Sequence, residues 1–301
     1  MRPKLNAKQK DILLFSTMLV AGIMLLYPVF FGFLGSISTQ SEFVKTVFLP
    51  VPKTPFANFA RNYKLIFTND TILRALGVTA FRIAWNLAVT AFTSVLLGFI
   101  FSKMRFPLKR VFFIVLISSM MIPAPAMIIP NYMWMSDFPL MGGNNLFGRG
   151  GSGFLNNPLG IVLTGWVSVY NIFLCRQCFA TLGNELKEAA QIDGAGFLKT
   201  VFVIYMPLIK PIIAVMFLNV FVGTWNDYLG NLIYMPDAKQ WWTIGNVFVV
   251  MMQMFADNGT AFTDYPAAFG IAFVSMVPPI IIYALVQEQF TKGLAMGSVK
   301  G

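Results

Sequence analysis

Glu188-Ala189-Ala190-Gln191-Ile192-Asp193-Gly194, followed by Ile204 and then Pro207, lies in a connection between two long apolar runs. Asn184 has the short polar side chain of an N-cap, and Glu185 and Glu188 fall in the first turn, where carboxylates meet the positive end of the helix dipole. Gly194 can close the helix in a left-handed conformation. The spacing predicts a short exposed helix with Leu186, Ala189, Ala190 and Asp193 on or near one side. Its two alanines let another surface approach closely, so the stretch reads as a docking face. An amphipathic helix touching only its own bundle would account for the Glu-Ala-Ala triplet taken alone.

The rest of the chain explains what such a helix would be attached to. Of 301 residues 57% are hydrophobic and 11% charged, with 31 Phe and 18 Met, which is too apolar for a soluble domain of this size. The chain therefore belongs in a bilayer. Its net charge of +10 comes from basic residues scattered among loops rather than from a nucleic-acid platform. The sequence has no histidine and only two cysteines, which excludes imidazole-based catalysis and most transition-metal sites. Cys175 and Cys178 form a Cys-x-x-Cys pair without a second ligand pair or a thioredoxin-like context, and read as small residues near a helix end. Neither a metal site nor a catalytic residue is expected.

Six spans are predicted, at about 12–34, 75–101, 111–134, 158–180, 207–234 and 267–286, with a loop over 181–206 that carries the docking helix. Proline-bearing sequence between the first two spans reads as an extramembrane loop. Arg82 and Asn86 fall in the second span; an ionisable group at that depth should face a cavity or a partner, but Arg82 lies within about two turns of the expected helix end, and snorkelling to the interface is the preferred reading. Pro123, Pro125 and Pro130 must break the third span, and broken helices at membrane depth usually line a path. The Gly-rich stretch from Ser136 to Asn157 reads as a flexible external loop and lacks the Gly-Lys-Ser/Thr of a phosphate loop. The apolar piece over 241–255 is short for a span and fits an interfacial or re-entrant segment.

With six spans, both termini, the loop from Lys103 to Arg110 and the docking loop share one side. That side holds 14 of the 22 Lys and Arg residues against seven opposite, which makes the docking loop cytoplasmic.

The order Glu-Ala-Ala, three residues, Gly, nine residues, Ile, one residue, a large apolar residue and Pro resembles the cytoplasmic loop of permease subunits of bacterial ABC importers, with Met206 where leucine is usual. Further stretches are similar to the carbohydrate branch, in particular to the second permease subunit of maltose-type importers: Asn62-Tyr63-Lys64-Leu65-Ile66-Phe67, Arg105-Phe106-Pro107, Ile129-Pro130-Asn131-Tyr132, Asn157-Pro158-Leu159-Gly160, Trp225-Asn226-Asp227-Tyr228 and the tail from Gly293 to Gly301. The resemblance covers nearly the whole chain, apart from the segment around 141–156, which looks longer than the family's usual connection. It implies an all-α integral membrane protein with the six-span fold of type I importer permeases, in the bacterial cytoplasmic membrane. Glu188, Ala189, Ala190, Asp193, Gly194, Ile204 and Pro207 would then dock on an ATP-hydrolysing subunit as the coupling helix and its flank. The tail would be a second contact with that ATPase. It also implies an ATPase dimer that carries ATP and Mg, a second permease subunit and an extracytoplasmic substrate-binding protein, with no cofactor on this chain itself. The general look of the chain is similar to importers of acidic oligosaccharides such as alginate.

For the path, sugars present hydroxyls to amides and carboxylates and apolar ring faces to aromatics. The candidates are Asn131, Tyr132, Trp166, Tyr170, Asn171, Asn219, Trp225, Asn226, Asp227 and Tyr228. Trp166 and Tyr132 read equally well as interfacial anchors, and Asn226 and Asp227 as caps of a broken helix or contacts to the permease partner. Two other classes compete. An ion-coupled secondary transporter would carry buried acidic relays, and only Asp227 stands well inside a span; a membrane enzyme on lipid-linked sugars would need clustered carboxylates at one membrane face, which are absent from the sequence.

Overall fold

The computed structural model describes residues 6–46, 48–163, 165–256 and 264–298, and among these every regular element is helical. The chain divides into two compact units, residues 1–73 with 248–278, and residues 74–247 with 279–301.

The first unit is built on α1, Ala7–Ser36, followed by α2, Gln40–Val44, and α3, Pro55–Phe67. Thr39 and Glu42 cap α2 reciprocally, and the backbone N–H groups of Thr39 and Lys53 hold the Glu42 carboxyl below its ordinary range. At the end of α1 the Asn62 amide donates to the Ser36 carbonyl at 2.8 Å, and Ser36 Oγ lies 2.9 Å from the Tyr63 hydroxyl. Phe31, Phe43 and Phe269 meet edge-on or tilted there. Most of α1 buries nothing: its apolar window is wholly exposed, with Phe15, Met18, Met24 and Leu25 pointing outward. Only lipid or a partner can cover such a surface.

The second unit contains the body of α4, Asp70–Lys103; then α5, Lys109–Ser118; α6, Ile128–Ser136; α7, Pro158–Leu163; α8, Val169–Thr181; and α9, Glu185–Ile192. There follow α10, Phe197–Lys199, which runs through π-type turns over Thr200–Tyr205 into α11, Lys210–Trp225, and finally α12, Leu229–Tyr234. Val95, Phe99, Cys175, Phe179, Val201, Tyr205 and Ile209 form its fully buried core. Gly98 is what lets α8 approach α4: a Cβ there would stand 2.6 Å from the Cys175 Cβ and 3.0 Å from the Arg176 nitrogen. Both cysteines are free thiols.

Among the described residues four helices are long and apolar enough to cross a membrane, Lys8–Ser36, Asp70–Lys103, Phe197–Trp225 and Tyr265–Glu288, and the last lies within α14, Tyr265–Ser298. The expected third span is a pair, Lys109–Met121 and Ala124–Ser136, bent by 100° where Pro123 and Pro125 interrupt the ladder. The expected fourth span is not one helix but the short α7 and α8. The expected fifth starts ten residues earlier, at Phe197, and breaks after Trp225. The apolar piece over 241–255 contributes α13, Ile244–Ala256, whose 13 residues are short for a span. In the tail, Gly293 to Ser298 continue α14, and Val299 to Gly301 lie outside the described residues.

The Gly-rich segment is not the flexible loop its composition implies. Asn144 ties it internally: Nδ2 donates to the carbonyls of Ser136 and Phe138, and Oδ1 accepts from the Gly151 N–H. Backbone bonds from Ser152 to Gly142 and from Phe154 to Met135 close it further. Gly142 (φ +55°) and Gly153 (φ +58°) pack backbone to backbone with no room for a Cβ. The Asn156 side chain joins the far end to Asp237 and Ala238.

Candidate functional site

The docking helix α9 forms over Glu185–Ile192 and ends as its sequence requires. Gly194 adopts φ +70°, its N–H reaches the Gln191 carbonyl at 3.1 Å, and the Ala195 N–H reaches the Ala190 carbonyl at 2.8 Å, a Schellman closure. The start differs from expectation. Asn184 holds the N-cap position without a side-chain cap; its Oδ1 instead accepts from Lys103 Nζ at 3.2 Å. Lys103 also donates to the Leu182 carbonyl, Lys187 Nζ returns to the Lys103 carbonyl at 3.2 Å, and the Tyr205 hydroxyl reaches the Gly183 carbonyl at 3.3 Å. The loop is thereby strapped to the end of α4 and to the π-type turns.

This arrangement sorts the expected docking residues. Glu188, Ala189, Asp193 and Gly194 are exposed, as is Pro207 on the next helix. Ala190 turns inward and is buried, and Ile204 packs against the protein's own apolar core, so neither offers itself to a partner here. The residue that sequence reasoning left out is Ile192, 86% exposed at the helix end. A large apolar side chain at the end of a polar helix, two positions before its closing glycine, is the signal available in the sequence.

A second feature lies in the same unit. Helices α7 and α8 are separated by a turn through Gly165 (φ +89°), and α11 and α12 by Asn226, Asp227 and Tyr228. Side chains of α4 satisfy the backbone that the first break frees: Thr90 donates to Gly165, Thr93 to Trp166, and Trp85 to Val162. At the second break Asp227 Oδ1 accepts from the Gly230 N–H at 3.0 Å and so caps α12. Between the breaks is a cavity of about 480 Å³.

Arg82 is among the residues that line it and does not snorkel. It is buried, with one terminal nitrogen 2.5 Å from Asp227 Oδ2 and the other 3.1 Å from Asn231 Oδ1. Asn231 passes the network to Thr243, whose hydroxyl lies 2.8 Å from Asn246 Oδ1, and the Asn246 amide donates to the Tyr228 carbonyl. Above the ion pair, Asn86 donates to Thr224 Oγ1 at 3.2 Å. Among the described residues the Oδ1 atoms of Asn86 and Asn171 have no partner, although both residues are buried.

Of the expected path residues, Tyr170, Asn171, Asn219, Asn226 and Asp227 line this cavity. Trp166 stands beside it, its ring 6.5 Å from that of Trp85. Trp225 is buried and stacks on Phe221, Tyr228 is exposed at the break, and Asn131 and Tyr132 lie exposed on α6 away from the cavity wall. Thr90, Ser168 and Thr224 complete the wall without having been singled out. Isolated hydroxyl residues in apolar segments are too common to signal a site.

A broken-helix bundle with a polar cavity and a strapped, exposed helix defines a membrane transport component. The family model described as "Binding-protein-dependent transport system inner membrane component" matches residues 94–295, and the chain belongs to that family, the multi-pass inner-membrane permeases of ABC importers. It is 29% identical over 285 residues to the sn-glycerol-3-phosphate transport system permease protein UgpE of Brucella melitensis, covering 92% of this chain and 93% of that one. Protein LplC of Bacillus subtilis is 27% identical, with 93% of this chain and 91% of LplC covered. A chain in the crystal structure of a bacterial ABC transporter involved in the import of the acidic polysaccharide alginate shares the fold with a TM-score of 0.76, at 23% identity over 96% of this chain and 99% of that one.

Proposed function

We propose that this chain is the permease subunit of an ATP-driven importer that moves a carbohydrate across the cytoplasmic membrane by alternating access. The observation that carries the reading is α9, exposed and strapped to α4, in a chain of the importer permease family. The relatives named for glycerol phosphate and alginate support a polyhydroxylated cargo. ATP and Mg sit on a separate ATPase dimer, not on this chain. A different permease chain pairs with it, a binding protein delivers cargo from outside, and both termini face the cytoplasm, with the tail beyond Gly293 as a second ATPase contact. Closure of the ATPase dimer moves α9, and the cavity between the broken helices changes access as the bundle switches between two arrangements.

The test is purification of the chain from its native membranes in mild detergent with Gly194→Trp and Gly194→Asn beside it. A Cβ on Gly194 meets nothing within 4 Å, so the tryptophan obstructs the docking surface, whereas asparagine keeps the left-handed turn. The wild type and Gly194→Asn should retain an ATPase and a second permease, and Gly194→Trp should lose the ATPase. Partners lacking an ATPase in the wild type would instead favour an ion-coupled transporter.

A further inference from the structure

We infer that the cavity between α4, α8 and α11 is a subsite for an uncharged, hydroxyl-bearing part of the cargo and turns anionic groups away. The inference rests on the permease reading and adds the chemical class that the subsite takes. The cavity contains a full positive charge, but does not present it: the Arg82 side chain is 6% exposed and the Asp227 side chain 28%. Both terminal nitrogens of Arg82 are already engaged, by Asp227 and Asn231. A solute entering therefore meets the carboxylate before the guanidinium beneath it. The pair sums to no charge, and its exposed member is negative.

Two further acceptors point the same way. Asn171 and Asn86 are 2% and 6% exposed, they line the cavity, and their Oδ1 atoms have no donor among the described residues. Buried acceptors of this kind call for a ligand that donates. An ionised carboxylate or phosphate only accepts, so it would meet like charge at Asp227 and leave the Asn86 and Asn171 Oδ1 atoms without a donor. A sugar hydroxyl donates and accepts, and Tyr170 adds an aromatic surface for a ring face.

The test uses the complete importer, purified through this chain and placed in lipid nanodiscs without nucleotide, with equilibrium dialysis of labelled probes. Glucose, maltotriose, mannotriose and galactotriose are the uncharged probes; trimannuronate and triguluronate are the charged ones. At least one uncharged probe should bind, about tenfold more weakly after Asn171→Ala, and both uronates at least tenfold more weakly than it. Asp227→Asn should narrow that gap by bringing out the Arg82 charge. If that variant does not assemble, Asn219→Asp should widen the gap by adding a carboxylate to the wall. Uronates that bind as tightly as the best uncharged probe, no binding of any uncharged probe, or an Asn171→Ala protein that binds like the wild type would each overturn the inference. An importer purified without an ATPase would instead overturn the permease reading itself, so the two failures are distinct.

Discussion

Gly98 and Gly77 lie on the same helix and answer to different constraints. At Gly98 a new Cβ would meet the Cys175 side chain and, at 3.0 Å, the Arg176 backbone, which cannot rotate away; at Gly77 it would meet nothing within 4 Å. Gly98→Val is expected to destabilise the purified complex by about 1–3 kcal/mol through overpacking, whereas Gly77→Ala should be neutral or stabilise it by about 0.5–1 kcal/mol through helix propensity. Melting temperatures of the two variants in one detergent check both signs. Arg82 shows where single-residue reading failed. Apolar character begins at about Ala75 and puts it near a helix end, but α4 starts at Asp70, with an acidic residue in its first turn, and so puts Arg82 three turns deep. An error of five residues at a boundary changed a snorkelling side chain into a buried one, and no local pattern named Asp227, 145 positions away, as its partner.

The elements most legible in the sequence were those whose signals are local. Helix α9 carried its acidic first turn and its closing glycine, and the bend near Pro123 carried its prolines. The folded Gly-rich loop was not legible, because its order comes from backbone groups and from one asparagine that bonds three of them. Nor was the strap on α9, since Lys103 reads as one more basic residue on the cytoplasmic side. Lys103→Met should remove the ties to Leu182 and Asn184 while leaving the exposed face of α9 unchanged. The expected result is an importer that retains its ATPase but moves less cargo per ATP hydrolysed, measured as the ratio of uptake to phosphate release in proteoliposomes. An unchanged ratio would remove the Lys103 strap from the coupling.

Across the whole molecule, hydropathy and charge established the class, an all-helical membrane protein, while continuity of the spans was beyond them. Hydropathy averages over a break, so α7 with α8 scored as one span, and the helix from Phe197 through Pro207 was divided at the proline. The charge bias predicts sides: Lys103 to Arg110 and α9 cytoplasmic, the loop near Gly151 external. A cysteine in place of Gly196 should therefore react with a membrane-impermeant maleimide only in inverted vesicles, and a reporter fused after residue 151 should be active only outside. The reverse pattern would invert the topology and detach α9 from any cytoplasmic ATPase. The apolar exterior of α1 points to the same setting, since lipid or a partner must cover it.

The strap at Lys103 and the ion pair at Arg82 belong to one uninterrupted helix, separated by twenty-one residues or about 30 Å at 1.5 Å per residue. Adding or deleting one residue between them would rotate one end against the other by about 100°, because a turn takes 3.6 residues; Arg82 would then face away from Asp227 whenever Lys103 kept its grip on Leu182. Length variation in this stretch is thus restricted to steps near a whole number of turns, and over evolutionary time its spacing should behave as a fixed gauge even where the amino acids along it drift.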